Sequence, residues 1–514
     1  MNQVAEGVVS NKSFIISNIR ESGRNPTRVL TGFVLAWVMF TLIMWVIPRP
    51  ADLSPQGMSV LAIVVWASIM WVSEALPVGI TGITIPLLLI LTQALPWSNG
   101  KPPMATVFNG FTNHVVWLCL FAFLVGAIMQ LLKLDRRIAL GILDKIKASS
   151  VGRVIWGFFG VNILLAFFIP AANARAATLL PVVNGVTNLL GNTPQEQEAK
   201  KAIVIQSLVY GTMICGVFIM TAHLPNLIMV GLFSRNGYNI GYLDWALLQF
   251  PYLGMFVLTQ WWVRYHFKTK GLQIAGGHAK IHRMHQELGP MSRGEWTLLI
   301  VFSAIALLFA MGRGSPIYQL HHFQLGIIGL IGIVVLFTPG LFPFKWKDIQ
   351  DRTMWGTFLL LGGALTMTAA MTQSGLAGWL AGVVHGSVQG KPWWLILLIL
   401  MLGTHIIRIG MLSNVAAIAM LAPVLFAMAP KLGLHPVAFT MLVSDTDTYA
   451  YLLPTQITAA VIAYGSDTFS TIDYAKVGWL CILLAIAYGI CVMAPWYALL
   501  GMPVWNPSAP WPFH

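Results

Sequence analysis

Long apolar segments separated by short polar ones make up most of the chain. Residues 29–48 and 477–500 are typical, since each is a mostly apolar run of the length, about 20 residues, that spans a bilayer as an α-helix. The pattern predicts an all-α, polytopic membrane protein with about eleven transmembrane helices. The predicted spans lie near 29–48, 57–75, 78–95, 106–132, 201–234, 244–265, 297–313, 323–340, 353–385, 437–464 and 477–500.

Two further apolar segments, 154–191 and 393–429, are each interrupted in the middle. The first lies between two basic loops, and if both loops are cytoplasmic the segment must enter and leave on the same side of the membrane. It is therefore predicted to be a re-entrant helical hairpin with its tip at 170–175. The second is interrupted at 408–414, and its flanking loops are predicted to be on the opposite side.

Each predicted hairpin is followed by a broken span. Residues 201–234 are interrupted at 221–226, where Pro225 removes a backbone donor, and residues 437–464 are interrupted near 452–458. Before the first hairpin, the basic and amphipathic stretch 135–153 is predicted to lie along the membrane surface.

The two halves of the chain share a short sequence repeat. AANARAATLLP (171–181) aligns without gaps to SNVAAIAMLAP (413–423), which superposes Pro181 on Pro423. Two halves of opposite orientation with broken helices at matching places are typical of secondary transporters that bind substrate near the bilayer midplane. The sequence thus predicts inverted repeats and a transport function.

Composition and charge exclude a soluble protein. Only 9% of the residues are charged, against roughly 25% in a globular domain, and 57% are hydrophobic. The net charge of +13 does not indicate nucleic-acid binding, because the basic residues are scattered between spans. Basic residues are enriched in cytoplasmic segments, and 22 of the 30 lysines and arginines fall in such segments if the N-terminus is inside and the C-terminus outside, which is the predicted topology. The polar N-terminal tail is predicted not to be a signal peptide.

Several segments are similar to one known family. They are SEALPVGITG (73–82), LDRRIAL (134–140), LLLGGALTMTAAMTQSGLA (359–377) and the two interrupted tips, Ala171-Ala172-Asn173 and Ser413-Asn414-Val415. From about Trp71 onward the chain resembles the divalent anion:sodium symporter family, which includes di- and tricarboxylate transporters. The resemblance implies a homodimer in the bacterial inner membrane that carries small divalent organic anions by an elevator motion.

The resemblance also implies how the chain is divided between a scaffold and a transport part. The parts are a cytoplasmic tail (1–28), a first scaffold part with a surface arm helix (29–153), a first hairpin and broken helix (154–266), a cytoplasmic loop (267–296), a second scaffold part (297–392), and a second hairpin and broken helix (393–514).

The family's hairpin tips carry a Ser-Asn-Thr motif, which implies where substrate and sodium bind. The implied substrate-binding residues are Ala172, Asn173, Arg175, Ser413, Asn414, Val415, Ile457 and Thr458. The implied ion-coupling residues are Ala171 and Gly216 in the first half and Ser413 and Asn414 in the second. Sodium ions are the only cofactor that the resemblance implies, and the alanines at the first tip leave the number of sodium sites open.

Arg175 is unusual because a charged side chain in hydrocarbon costs from ~3 to more than ~10 kcal/mol. One hypothesis is that its fixed charge substitutes for a sodium ion beside an anionic substrate. The alternative is that it pairs with a carboxylate or with backbone carbonyls and only holds the hairpin.

A second intramembrane charge network comprises His405, Arg408, Asp445 and Asp447. One Arg–Asp pair could neutralise both charges, or the set could couple transport to protons or act as a gate. Sodium symport, anion exchange and proton coupling therefore all remain open.

Other functions remain as alternatives. A carrier of sulfate or of another inorganic or sulfonated anion would need the same architecture, and sequence alone does not separate a carrier from an anion channel. A membrane-embedded enzyme is the alternative from another class, but the chain has neither an H-E-x-x-H nor a G-x-S-x-G motif.

Overall fold

A computed structural model describes residues 16–21, 25–97, 100–274, 276–311, 323–411 and 413–513. Regular structure in these ranges is helical apart from isolated bridge positions at Lys101, Ser150 and Gln273. This confirms the predicted all-α class. Most of the predicted tail, residues 312–322 and Leu412 in the predicted second tip lie outside the described residues.

The α-helices follow one another with short connections. The first half contains α1 (Pro26–Thr41), α2 (Pro55–Ser73), α3 (Val78–Leu91), α4 (Met104–Val107), α5 (Asn109–Thr112), α6 (His114–Leu132), α7 (Leu134–Lys145), α8 (Val151–Phe168), α9 (Ala172–Thr187), α10 (Pro194–Val204), α11 (Gly211–Phe218), α12 (Leu224–Arg235), α13 (Tyr242–Gln249) and α14 (Met255–His266). The second contains α15 (Gly277–Gln286), α16 (Arg293–Ala310), α17 (Leu325–Leu336), α18 (Trp346–Gln350), α19 (Trp355–Gln373), α20 (Leu376–Val388), α21 (Trp393–Arg408), α22 (Asn414–Met428), α23 (Pro436–Asp447), α24 (Thr458–Tyr464), α25 (Thr471–Tyr488) and α26 (Ala494–Leu499).

Many of these helices are long and apolar enough to cross a membrane. In the described ranges eight helices, some continued through a π-helical turn, meet that criterion, or nine if α20 and α21, which are bent by 117°, form one span. Three shorter apolar helices, α3, α17 and α22, accompany them. The count of eleven spans remains a prediction.

Several helices begin before the apolar segments from which they were predicted, because polar residues cap their first turns. Thr193 and Glu196 form a capping box at the start of α10, and Ser470 and Asp473 form another at the start of α25. Each box satisfies two backbone N–H groups that the helix itself leaves unpaired. The helices therefore begin at Pro194 and Thr471, several residues before the predicted starts at 201 and 477.

Three other predicted boundaries were wrong. The span at 353–385 is two helices, α19 and α20, because the chain turns at Gly375 with φ +78°. The surface stretch 135–153 ends as a helix at Lys145, and Val151 already belongs to α8. The span at 106–132 is divided into α4, α5 and α6, with Asn113 capping the backbone N–H of Val115 at the start of α6.

The chain forms two compact units, of which the smaller comprises residues 1–111 and 355–379. Its helices α3 and α19 are in close backbone contact at glycines. A Cβ atom on Gly79 would lie 2.8 Å from the carbonyl oxygen of Gly356, and one on Gly82 would lie 2.6 Å from that of Leu359. Small residues that allow such an approach are typical of helix packing in membranes.

The larger unit comprises residues 112–354 and 380–514 and contains both interrupted segments. The first hairpin is α8 with α9, and the first broken helix is α11 with α12. The second hairpin is α21 with α22, and the second broken helix is α23 with α24. Helix α9 packs against α24, while α22 packs against α12 and α23, so the hairpin of each half contacts the broken helix of the other half.

Candidate functional site

The first hairpin changes direction over three residues, since α8 ends at Phe168 and α9 begins at Ala172. Ile169 and Ala171 have extended backbones between them. The predicted tip at 170–175 was therefore too long, because Asn173 and Arg175 lie in the first turn of α9. The early helix start turns the Arg175 side chain away from the loop and into the protein, where it is fully buried.

The second hairpin has the same construction. Helix α21 ends at Arg408, Ser413 is extended, and α22 begins at Asn414, which is 242 positions after the start of α9. The Ser413 hydroxyl accepts a hydrogen bond from the backbone N–H of Ala416 at 3.3 Å and so caps α22. The gap-free repeat alignment thus places α9 and α22, the second helices of the two hairpins, at matching positions.

The two broken helices are interrupted in the same way. In the first, a 3₁₀ turn at Met220–Ala222 is followed by the extended residue His223, with φ −146° and ψ 126°. In the second, a 3₁₀ turn at Pro454–Gln456 is followed by extended Ile457, with φ −135° and ψ 126°. A new helix starts immediately afterwards in both, so each break leaves carbonyl groups that no helix uses.

The guanidinium of Arg175 connects the first tip with the first broken helix. It donates hydrogen bonds to the carbonyls of Ile169 at 2.7 Å, Ala222 at 2.8 Å and Thr212 at 2.7 Å. All three acceptors are backbone oxygens, and no carboxylate pairs with Arg175 among the described residues. A Cβ atom on Gly216 would lie 3.0 Å from its Nη2, so the glycine makes room for the side chain.

Arg408 connects the second tip with the second broken helix. It donates to the carbonyls of Met411 at 3.1 Å and Gln456 at 2.9 Å, and to the side-chain oxygen of Asn414. Its Nε lies 3.4 Å from Oδ2 of Asp447, and both side chains are fully buried. Unlike Arg175, this arginine is therefore next to a carboxylate that neutralises it.

The structure separates the predicted network of four residues. Arg408 and Asp447 form the ion pair, whereas Asp445 accepts a hydrogen bond from the Gln249 amide at 2.6 Å. His405 is buried on α21, and neither of its ring nitrogens has a hydrogen-bond partner in the described ranges. The four side chains do not form one connected set there.

Two amides that the sequence analysis did not single out hold the breaks. Asn226 donates to the carbonyls of Gly216 at 2.9 Å and Ile219 at 3.0 Å, across the first break. Gln456 accepts from the backbone N–H groups of Leu452 and Leu453 and donates to the carbonyl of Arg408. The available signal was the position of each amide inside an apolar, interrupted segment, where an unpaired polar group is costly.

The two halves meet through His223 and Asn414. Nε2 of His223, from the first break, lies 3.3 Å from the side-chain nitrogen of Asn414 at the second tip. Around this contact, Asn173 and Ser413 are partly exposed, and Thr458 is exposed. Helices α9, α12 and α24 begin at the first tip, the first break and the second break, and no described side chain caps their starts. Uncapped N-termini present free N–H groups and a partial positive charge to an anion.

The remaining predicted site residues are apolar. Ala171, Ala172, Val415 and Ile457 are buried beside the tips and the second break. They offer only backbone groups, and the alanines let a ligand or a side chain approach closely. In the described part of the chain, no cluster of three or more His, Cys, Asp or Glu residues could hold a metal ion.

Comparison with known families shows to which family a chain with this arrangement belongs. Residues 29–503 match the model of the family described as the sodium:sulfate symporter transmembrane region. The chain belongs to this family. The match confirms the resemblance to the divalent anion:sodium symporters, and it makes the chain an integral membrane protein of a transporter family.

Individual relatives of this family member cover nearly the whole chain. A membrane protein of Cupriavidus necator is 28% identical over 491 residues, which are 93% of this chain and 94% of that protein. The sodium-dependent dicarboxylate transporter SdcS of Staphylococcus saprophyticus is 26% identical over 520 residues, 96% of each chain. The YdaH transporter of Alcanivorax borkumensis, a solved structure, shares the fold with a TM-score of 0.52 at 15% identity, covering 83% of this chain and 99% of that one.

Proposed function

We propose that the protein is a secondary active carrier of small divalent organic anions, with dicarboxylates such as succinate as the substrate class. The proposal rests on one observation: the two hairpin tips and the two helix breaks lie in the larger unit, with uncapped helix N-termini around the His223–Asn414 contact. The name of the staphylococcal relatives supports the substrate class.

The substrate carboxylates would bind the free N–H groups at the starts of α9, α12 and α24, with Asn173, Ser413, Asn414 and Thr458 as side-chain donors. The positive charge of Arg175, fully buried in the first turn of α9, would compensate part of the negative charge of the substrate. Carriers of this kind act without covalent chemistry, and the protein is accordingly proposed to be no enzyme.

The arrangement in the cell follows from the sequence analysis and is part of the proposal. The protein would lie in the bacterial inner membrane as a homodimer, with its N-terminus inside and its C-terminus outside. The two hairpins with their broken helices, residues 154–266 and 393–514, would move as an elevator against the remaining spans and carry the substrate between the two sides.

The experiment that tests the substrate class is competition in proteoliposomes that take up radiolabelled succinate. We expect fumarate and malate in tenfold excess to reduce the initial rate to a small fraction, while sulfate and acetate leave it nearly unchanged. Stronger competition by sulfate than by dicarboxylates would favour an inorganic-anion carrier. Uptake that does not saturate with succinate would indicate a channel instead.

A further inference from the structure

The C-terminal end of α14 borders a surface cavity of about 700 Å³. Its lining consists of three basic residues, two aromatic residues and a histidine, which are Arg264, Lys268, Lys270, Trp261, Tyr265 and His266. The cavity lies in the larger unit, where α14 leads into the predicted cytoplasmic loop at 267–296, and it includes no residue of the two tips or the two breaks.

The two aromatic residues end an exposed apolar stripe along α14. Val257, Trp261 and Tyr265 follow at four-residue spacing on one helix face, and they are 51%, 62% and 68% exposed. The rings of Trp261 and Tyr265 are stacked with their centroids 6.0 Å apart. Trp and Tyr are enriched where a transmembrane segment reaches the headgroups. The cavity is therefore continuous with an apolar surface that faces either lipid or another subunit.

The three cations that line the cavity have no carboxylate partner in the described part of the chain. Nε of Arg264 is buried there without any hydrogen-bond partner. Asp473, on the helix α25 that packs against α14, pairs with Lys201 at 3.3 Å instead. Cations near a helix C-terminus interact favourably with the helix dipole, but that effect requires neither a cavity nor exposed aromatic rings.

Unpaired cations beside an exposed apolar stripe fit an anion that also carries an apolar part. A soluble anion would use the cations but not the stripe. A second copy of the same face would bring three further cations against these, and like charges in contact oppose association. Basic pockets at the cytoplasmic side of transmembrane helices bind the headgroups of anionic lipids.

We infer that this cavity is a binding site for an anionic phospholipid of the cytoplasmic leaflet. The phosphate would lie among Arg264, Lys268 and Lys270, and the acyl chains would follow Trp261 and Val257 along α14. The site is separate from the proposed substrate site, and it does not depend on which anion is carried.

The position of Arg264 indicates what a bound lipid would stabilise. A Cβ atom on Gly152, in the first turn of α8, would lie 3.0 Å from Nη1 of Arg264, so the guanidinium packs against the base of the first hairpin. Just beyond the cavity, the backbone N–H of Ile274 donates to the carbonyl of Ser149 at 2.7 Å. A headgroup that neutralises the cations at this junction would bind the folded form alone and therefore stabilise it.

The test compares two phospholipids that share their acyl chains and differ in headgroup charge. Purified protein in neutral detergent is mixed with equal amounts of dioleoyl phosphatidylglycerol and dioleoyl phosphatidylcholine, and retained lipid is counted by native mass spectrometry. We expect at least fivefold more phosphatidylglycerol than phosphatidylcholine on the wild type. Phosphatidylglycerol should also raise the melting temperature, whereas phosphatidylcholine should not. Equal retention of the two lipids would overturn the inference.

Variants of the cavity remove its charge. Arg264→Gln/Lys268→Gln/Lys270→Gln should lose the preference for phosphatidylglycerol and the rise in melting temperature. Lys268→Gln/Lys270→Gln leaves the half-buried Arg264 in place and should lower the preference to an intermediate value. This double variant keeps the test decisive if the triple variant does not fold, because an unchanged preference in it would contradict the site.

The matched control removes the same charge from another basic segment. Lys345→Gln/Lys347→Gln/Arg352→Gln changes three exposed residues and should retain phosphatidylglycerol like the wild type. An equal loss in the control and in the cavity variants would show a general effect of net charge and overturn the inference.

Two further outcomes would assign the cavity to another occupant. Glycerol phosphate, which has the charged headgroup without acyl chains, should not raise the melting temperature. A rise as large as that with phosphatidylglycerol would indicate a soluble anion and overturn the lipid site. A dimer that dissociates in the cavity variants while their lipid retention stays unchanged would identify the face as a contact between copies and also overturn it.

Discussion

Backbone groups are the main partners of the buried polar side chains around the two breaks. Arg175 and Asn226 donate to backbone carbonyls, and Gln456 bonds to backbone groups on both sides of the second break. Such contacts keep an irregular backbone satisfied where water is scarce. At this scale the site is a set of interrupted helices held by side chains, and a substrate would meet the N–H groups that remain free.

The sequence identified the unusual residues but not their partners. Arg175 and Arg408 attract attention because charges in apolar segments are rare. Their carbonyl acceptors leave no signal, because every residue carries a carbonyl group. For the same reason the choice between a substrate ligand, a sodium substitute and a hairpin clamp could not be made from residue types.

Asn226 provides a residue-scale prediction about stability. Asn226→Ala removes the bonds to the carbonyls of Gly216 and Ile219; the oxygen of Ile219 keeps the bond from the backbone N–H of Ala222, whereas that of Gly216 loses its bond from the amide. We expect a loss of about 1–3 kcal/mol in the free energy of unfolding and a lower melting temperature in detergent. Asn236→Ala, which removes a single bond to the carbonyl of Leu232 in a partly buried position, is the control. An equal shift for both variants would contradict a special role for the first break.

At the scale of elements, the apolar pattern predicted where helices exist better than where they begin and end. Pro225 and the interruption near 452–458 located the two broken helices, because a missing donor and a gap in an apolar segment are visible in sequence. The start of α10 at Pro194 lies in a polar turn that hydropathy does not report. The division at Gly375 depends on one residue with positive φ, which a single glycine in an apolar run does not reveal.

Glycine contacts between α3 and α19 lead to a prediction at this scale. Gly82→Ala would place a Cβ atom 2.6 Å from the carbonyl oxygen of Leu359, so the two helices must separate. The expected destabilisation is about 1–3 kcal/mol, measured as a lower melting temperature. Gly386→Ala is the matched control, because no atom lies within 4 Å of the added carbon. Unchanged stability in Gly82→Ala would show that the close approach does not hold in solution.

Helices α7 and α15, which lie outside the predicted spans, are joined by histidines around one carboxylate. The Nδ1 atoms of His282 and His285 each lie 2.9 Å from a carboxylate oxygen of Asp144, and Nε2 of His278 lies 3.3 Å away. Burial acts to raise the pKa of Asp144, but the hydrogen bonds from His285 and His282 outweigh it and hold that pKa below its usual range.

The lowered pKa of Asp144 gives a prediction for the docking of α15. A carboxyl whose folded-state pKa is depressed stabilises the folded form above its unfolded pKa of ~4, and the stabilisation is lost as the pH falls through the folded-state value. The amides of residues 277–286 should therefore stay protected from hydrogen exchange at pH 5–7. Asp144→Asn should lose this protection at pH 7, whereas Glu287→Gln should keep it, since Glu287 pairs with Arg283 on the exposed surface of α15 and its C-cap. Equal protection in both variants would exclude a role for the carboxylate.

At the scale of the whole molecule, hydropathy, charge bias and the repeat together predicted a helical carrier. The family match from residue 29 to 503 confirms that class. The pairing of each hairpin with the broken helix of the other half was not predicted, because packing between distant segments depends on side-chain fit rather than on periodicity. Arg175 and Arg408, in contrast, each join a hairpin tip to the break of their own half.

The central claim is that the protein is a carrier of divalent organic anions. The most direct measurement is counterflow of radiolabelled succinate into proteoliposomes loaded with unlabelled succinate, with the same salt on both sides. We expect transient accumulation of label above its equilibrium level, which a channel does not produce. Label that rises only to its equilibrium level, at the same rate in loaded and empty vesicles, would contradict it.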